Sequence, residues 1–405
     1  MSQPAQLTQL SSFSRIFPVL IFNFVIYLNI GYPMAVIPLV VHHDLGFSAI
    51  LAGLAVSLQY IGTFATRPSA GRRIDSTGPR SSVKYGLLMA AASGVLLLIA
   101  GYLAAAPWLA LAIIALSRLA LGWAESWGST GVIAWNIYRL GPANTAFAIS
   151  WNGVCSYGGI AIGAALGLVM YQLPGILGGF TTLAFLSILI PLLCWQLCRR
   201  YQPVRPPQRS SNEAAIKFLN VLKLVTPHGT VLVAGSVGFS GVWSFLALAF
   251  ANNHWDGTPW ALLLFGVSFV GVRILFSNQI NRRGGLAVTL ASLVVEALGT
   301  LVIALFYTPG AAILGAALCG AGFSLIFPAM GTLAVERAGP ANRASAIGSF
   351  SIFQDLGIAL SSPLLGYVVD VSSYRAIYII ATVIIVAGAV YSRRLRRLKP
   401  IQGNG

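Results

Sequence analysis

Arg139-Leu-Gly-Pro-Ala-Asn144-Thr-Ala-Phe-Ala-Ile149 returns in the second half of the chain as Arg337-Ala-Gly-Pro-Ala-Asn342-Arg-Ala-Ser-Ala-Ile347, and Gly159-Ile-Ala and Gly357-Ile-Ala follow in register. The offset is 198 residues throughout. A second pair, Arg67-Pro-Ser-Ala-Gly71-Arg-Arg-Ile74-Asp75-Ser-Thr-Gly78 and Arg273-Ile-Leu-Phe-Ser277-Asn-Gln-Ile280-Asn281-Arg-Arg-Gly284, aligns its Arg, Ile and Gly at an offset of 206. Repetition at this scale means that one structural unit occurs twice.

Composition says which solvent the unit meets. Only 8% of the 405 residues are charged and 57% are hydrophobic, against roughly a quarter charged in a soluble domain. In lipid every backbone N–H and C=O must be paired within the protein, so a spanning helix needs about 20 mainly apolar residues. Twelve runs meet that requirement: 17–40, 48–67, 83–104, 108–133, 145–171, 177–198, 227–251, 259–277, 286–307, 311–333, 344–369 and 375–392. Six precede and six follow a basic, proline-containing stretch at 199–226, which reads as a linker between a bundle over 1–198 and a second over 227–405 that ends in a basic tail. The predicted fold is an all-α integral membrane protein in which each repeat begins after an even number of spans. The halves are therefore parallel, related by an axis along the membrane normal, an arrangement used for alternating access with a site between the halves.

The net charge of +16 raises nucleic acid as a partner, and its distribution answers the question. Of the 25 Lys and Arg residues, all but Arg118 and Arg375 fall at the N-terminus, the C-terminus, or the loops and helix ends following helices 2, 4, 6, 8 and 10. The opposite loops, such as His42-His43-Asp44 and Asn252-Asn253-His254-Trp255-Asp256, are nearly free of basic residues. By the positive-inside rule both termini are cytoplasmic, and the basic tail is a topology determinant that meets lipid headgroups rather than nucleic acid. The first 16 residues lead into a run too long for a signal-peptide core, so the first helix is read as retained. Cys155, Cys194, Cys198 and Cys319 all lie in predicted helices and suggest no disulfide framework. The four histidines form no ligand-spaced set, so neither a metal nor a cofactor is expected.

Gly71-Arg-Arg-Ile-Asp75-Ser-Thr-Gly78-Pro-Arg80 resembles the signature loop between helices 2 and 3 of the major facilitator superfamily, with Pro79 where a basic residue is common. Arg118-Leu-Ala-Leu-Gly122 resembles a second signature, of proton-driven members, with Leu121 in place of a Gln. The run Gly153-Val-Cys-Ser-Tyr-Gly158-Gly159-Ile-Ala-Ile-Gly163 partly resembles the antiporter signature but lacks its Gly-Pro pair. The resemblance covers essentially the whole chain and is nearest to bacterial sugar and drug efflux permeases. It implies a conformational latch at Arg67, Gly71, Asp75, Gly78 and Arg80, and a central cavity lined by helices 1, 4, 7 and 10. Asn281 at the position matching Asp75 limits an ionic latch to the first half.

Ionisable groups inside a membrane are costly, which makes Arg118, Glu125, Glu296 and Asp355 functional candidates. Arg118 and Glu125 share one face of the fourth run, about 10.5 Å apart along the axis. That spacing predicts a polar track with water or another side chain between them. Burial favours the neutral acid and a nearby guanidinium favours the carboxylate, so movement of Arg118 would load and unload a proton on Glu125. Asp355 ranks beside them as a proton-coupling residue, and Glu296 below. Asn29, Tyr32, Trp123, Trp127, Trp151 and Trp243 are read as candidate cavity residues for an amphipathic or aromatic solute, with helix packing as the rival role. Gly159, Gly163 and Gly167 recur every fourth residue and present a stripe for close helix approach.

The expected function is secondary transport of a small solute by alternating access, as proton-coupled efflux. The alternatives are a proton-coupled importer of the same fold, or a membrane sensor or assembly factor that has lost transport. An enzyme is not expected, because no nucleotide loop, metal cluster or nucleophilic constellation appears. The expected partners are the solute, protons and lipid, and the expected form is a monomer in the bacterial inner membrane.

Overall fold

The computed structural model describes residues 9–103, 105–141, 145–173, 179–204, 218–338 and 343–395. Among them, twelve helices are long and apolar enough to cross a membrane. They are α1 (Gln9–Leu39), α2 (Ala49–Thr77), α3 (Pro79–Tyr102), α4 (Pro107–Leu140), α5 (Thr145–Gln172), α6 (Gly179–Arg200), α7 (Phe218–Asn252), α8 (Thr258–Phe276), α9 (Gly285–Phe306), α10 (Pro309–Ala338), α11 (Arg343–Val371) and α12 (Tyr374–Arg394). Most of the linker and the end of the basic tail, including Arg396, Arg397 and Lys399, lie outside the described residues.

Punctuation between helices is written locally. Proline opens α3 and α4, where its missing N–H removes no helical bond. Ser48 and Ser373 cap α2 and α12 through hydroxyls that accept from Leu51 N and Ala376 N. The repeat extends to backbone conformation, because Gly78 and its counterpart Gly284 both hold positive φ, +88° and +81°. Such a φ favours a residue without a Cβ.

Several helices run past the apolar windows. The signature expected as a loop after residue 67 is the last part of α2, which continues to Thr77 and leaves only Gly78 before α3. Similarly α4 carries Arg139 inside its last turn, and α7 starts at Phe218, within the stretch expected as linker. Hydropathy reports the segment that needs lipid, whereas helical pairing continues wherever residues tolerate it.

Within each half the helices form one bundle, and the halves meet chiefly where α2 packs on α11 and α5 packs on α8. The hydrophobic effect does not hold helices together in lipid, so close contact between small residues takes its place. On α2 and α11, Gly53 lies against Ser362 O and Gly366 against Ala49 O, both near the end opposite the chain termini. There Asp370 of α11 accepts hydrogen bonds from Ala49 N at 2.8 Å and Ile50 N at 3.0 Å. A carboxylate on the first N–H groups of a helix also meets the positive end of its dipole. At the termini end of the same helices, Gly71 and Gly348 have no neighbour within 4 Å of where a Cβ would stand. The close backbone contacts between these two helices thus lie at the far end, and neither Gly71 nor Gly348 makes one.

Candidate functional site

The buried charges of the first half form a chain. Arg118 on α4 is fully buried, and its Nη2 donates to Gln59 Oε1 on α2. Gln59 in turn donates from Nε2 to Glu125 Oε2 at 2.9 Å. The intermediary expected between Arg118 and Glu125 is therefore a side chain from the neighbouring helix. Thr63 Oγ1 donates to the same carboxylate oxygen at 3.1 Å, and Tyr27 on α1 donates its hydroxyl to Oε1 at 3.3 Å. Glu125 is thus held by α1 and α2, and every one of these partners donates. Next to it, Asn23 Nδ2 donates to Asn152 O at 3.1 Å and to Ser156 Oγ at 2.8 Å, tying α1 to α5.

Asp355 on α11 belongs to a different contact. Arg67 on α2 reaches across the interface between the halves, with Nη2 2.7 Å from Asp355 Oδ2 and Nη1 donating to Ser351 Oγ at 2.9 Å. Among the described residues this is the ion pair of the protein, and it joins one half to the other. Removing Arg67 alone would strand a buried carboxylate, at a cost of roughly 1–3 kcal/mol or more.

The other residues expected in the latch do not gather around Arg67. Gly71 faces open space, and the side chain of Asp75 lies outside the described residues. Gly78 packs under Val204 O, and Arg80 donates to the final carbonyls of α6, Cys198 O and Arg199 O. Arg80 therefore caps a helix within its own half.

The six candidate cavity residues are also dispersed. Asn29 is 2% exposed and donates to Ala90 O on α3, so its amide ties two helices of one half together. Tyr32 is buried against the glycine stripe of α5. Trp123 is 40% exposed and meets Trp127 edge to face, while Trp127 Nε1 donates to Ser69 Oγ at 2.9 Å. Trp151 packs on Phe13 near the termini end. Trp243 is buried beside Phe239 and Phe265 in the second half. Along α5, a Cβ at Gly159 would stand 2.7 Å from Phe24 O, and one at Gly163 or Gly167 would collide with Leu28 O or Tyr32 O.

Glu296 on α9 is fully buried in the second half, with neither carboxyl oxygen hydrogen-bonded, facing Gly235 and Gly238 of α7. No group of three His, Cys, Asp or Glu residues among those described could hold a metal ion.

Sequence reasoning misses Gln59, Thr63, Tyr157, Arg273 and Asp370 as site residues. A signal existed for the first two: they lie four apart in an apolar run, so both polar groups fall on one helical face. Arg273 aligns with Arg67 in the repeat, but hydropathy puts it at a helix end and hides its burial.

These features define a membrane protein of two parallel six-helix repeats that meet across α2–α11 and α5–α8 and enclose buried charges. The model of the Major Facilitator Superfamily matches residues 19–277 and 229–404, and the chain belongs to that family. It is 40% identical over 407 residues to an uncharacterised MFS-type transporter of Burkholderia mallei (strain SAVP1), covering 100% of this chain and 98% of that one. The fold is shared with the nucleoside transporter NupG, at a TM-score of 0.71 and 16% identity over 95% of this chain and 99% of that one. It is shared too with the fucose:proton symporter FucP of E. coli, at a TM-score of 0.61 and 18% identity over 95% of this chain and 100% of that one.

Proposed function

We propose that this protein is a proton-coupled secondary transporter that moves a small solute by alternating access. The observation that carries the reading is the buried chain Arg118–Gln59–Glu125, an acid and a base kept apart by an amide inside the first half. A protonated Glu125 needs an acceptor where the structure supplies donors. Loading a proton therefore disturbs Gln59, Thr63 and Tyr27 together, and these sit on α1 and α2. The α2 helix also carries Arg67 and the N-terminus held by Asp370, so a change at Glu125 reaches both contacts with α11.

The same chemistry serves either direction. A relative by fold is a fucose:proton symporter, which supports uptake by symport over the efflux expected from the sequence. In liposomes containing the purified protein, solute from a panel of sugars, nucleosides and organic anions should accumulate inside when the exterior is acid. Accumulation driven only by an acid interior would indicate antiport, and transport indifferent to collapse of the gradient would remove proton coupling.

The charge asymmetry and the bacterial relative support an inner-membrane protein with cytoplasmic termini. With the four native cysteines replaced, His43→Cys and Arg205→Cys should label from opposite sides of the membrane. Labelling from one side would overturn the topology.

A further inference from the structure

The two internal repeats set Arg67 and Arg273 at equivalent positions, and each arginine leaves its own half to meet the other. Arg67 of α2 meets α11, where Ser351 and Asp355 bind it. Arg273 of α8 meets α5, where the residues at the matching offset of 198 are Gly153 and Tyr157. One cradle is thus built twice, and in the second copy glycine stands for the serine and tyrosine for the aspartate, so the carboxylate is gone.

Arg273 occupies its cradle. It is 8% exposed, and its guanidinium carbon lies 4.9 Å from the Phe269 ring centroid and 5.8 Å from that of Tyr157. A Cβ at position 153 would stand against its Nη1, so glycine there lets the guanidinium keep this position. Nη2 donates to Ser324 O at 2.9 Å, while the buried Nε has no partner. Among the described residues no carboxylate lies within ion-pair distance of it. A buried, fully charged guanidinium without a counterion is costly, and a counterion brought by a ligand would relieve that cost.

The surroundings suit an organic ligand. Tyr157 is stacked on Phe269 at 3.9 Å and lies edge-on to Phe239 and Phe323, and its hydroxyl accepts from Gln354 Nε2 of α11. Gly153, Tyr157 and Gln354 are each part-exposed, and the hydrogen bond between Tyr157 and Gln354 ties α5 to α11 beside the α5–α8 contact.

We infer that Arg273 is the anion-binding residue of the solute site, and that the solute is an organic acid on an aromatic or apolar body whose carboxylate takes the place that Asp355 holds at Arg67. The inference rests on the transporter reading above and narrows its solute class. A carboxylate is chosen because the repeat itself pairs the equivalent arginine with one, and a planar guanidinium matches a carboxylate with two parallel N–H donors.

The test uses the full chain in lipid nanodiscs, with benzoate and phenylacetate as probes and their amides as uncharged controls. At least one acid should raise the unfolding temperature in a saturable way while its amide does not. Arg273→Met should weaken that binding at least tenfold, with Arg273→Lys between the two. Tyr157→Asp restores the carboxylate of the Arg67 cradle and should stay folded while competing with the acid, again by at least tenfold. It decides the matter if Arg273→Met does not fold. Equal effects of acid and amide on the parent overturn the inference, as does undiminished binding in the deciding variant. The readout needs no proton gradient, so its failure leaves proton coupling standing, and loss of proton coupling in the liposome assay leaves this site standing.

Discussion

Glu125→Gln is expected to abolish proton-driven accumulation in liposomes while leaving solute exchange intact. The carboxyl accepts from Gln59 Nε2, Thr63 Oγ1 and Tyr27 Oη, so an amide of the same shape keeps one acceptor and turns the other into a donor. Thr63 has alternatives, because its hydroxyl also lies within reach of Gln59 O at 3.1 Å and Gly122 O at 3.2 Å. The cavity can therefore hold the amide, whereas the amide cannot carry a proton. Arg118 stays bound to Gln59 Oε1 in either case. Accumulation that survives the substitution would take Glu125 out of the mechanism. Loss of exchange as well, in a folded protein, would make Glu125 a solute-binding residue. Solute exchange measured beside proton-driven uptake separates the three outcomes.

Gly163→Val is expected to cost the fold at least about 3 kcal/mol, the upper end for overpacking a close contact. A Cβ at position 163 meets Leu28 O and also stands 3.1 Å from Gly31 Cα and from Tyr32 N, so its obstacles are backbone atoms of α1 that no rotamer change can move. Displacing α1 would also pull Tyr27 away from Glu125 and Asn23 away from Ser156. The monodisperse fraction after detergent extraction should fall steeply, and the unfolding temperature with it. Gly348→Val is the control, since that glycine is exposed with nothing within 4 Å of the added carbon. Equal behaviour of the two variants would show that the α1–α5 seam tolerates separation.

The twelve helices, their parallel halves and the equivalence of Gly78 with Gly284 were legible in the chain, because each depends on local composition or on repetition along it. Lipid forces every spanning segment to pair its own backbone, so hydropathy alone finds it. Helix ends beyond the apolar window were not legible in the same way. Gln279–Arg283 forms a short helix of its own, where the matching stretch of the first half, Arg73–Thr77, simply continues α2.

Charges inside the membrane were legible as types and positions. Arg118, Glu125, Glu296 and Asp355 stand out in any apolar run, since burial makes each one expensive. Their partners were not legible. Arg67 and Asp355 are 288 residues apart, and what brings them together is the crossing of α2 over α11, which depends on glycines such as Gly53 and Gly366 meeting backbone across the interface. The sequence by itself determined the number of spans, their parallel pairing and the presence of buried ionisable groups, because these follow from solvent and repetition. Only the tertiary structure decided that Gln59 joins Arg118 to Glu125, that Arg67 bridges the halves and that Arg273 faces Gly153 and Tyr157. Each of these depends on which face of one helix meets which face of another, and in lipid that choice is made by close packing over long separations rather than by any local pattern.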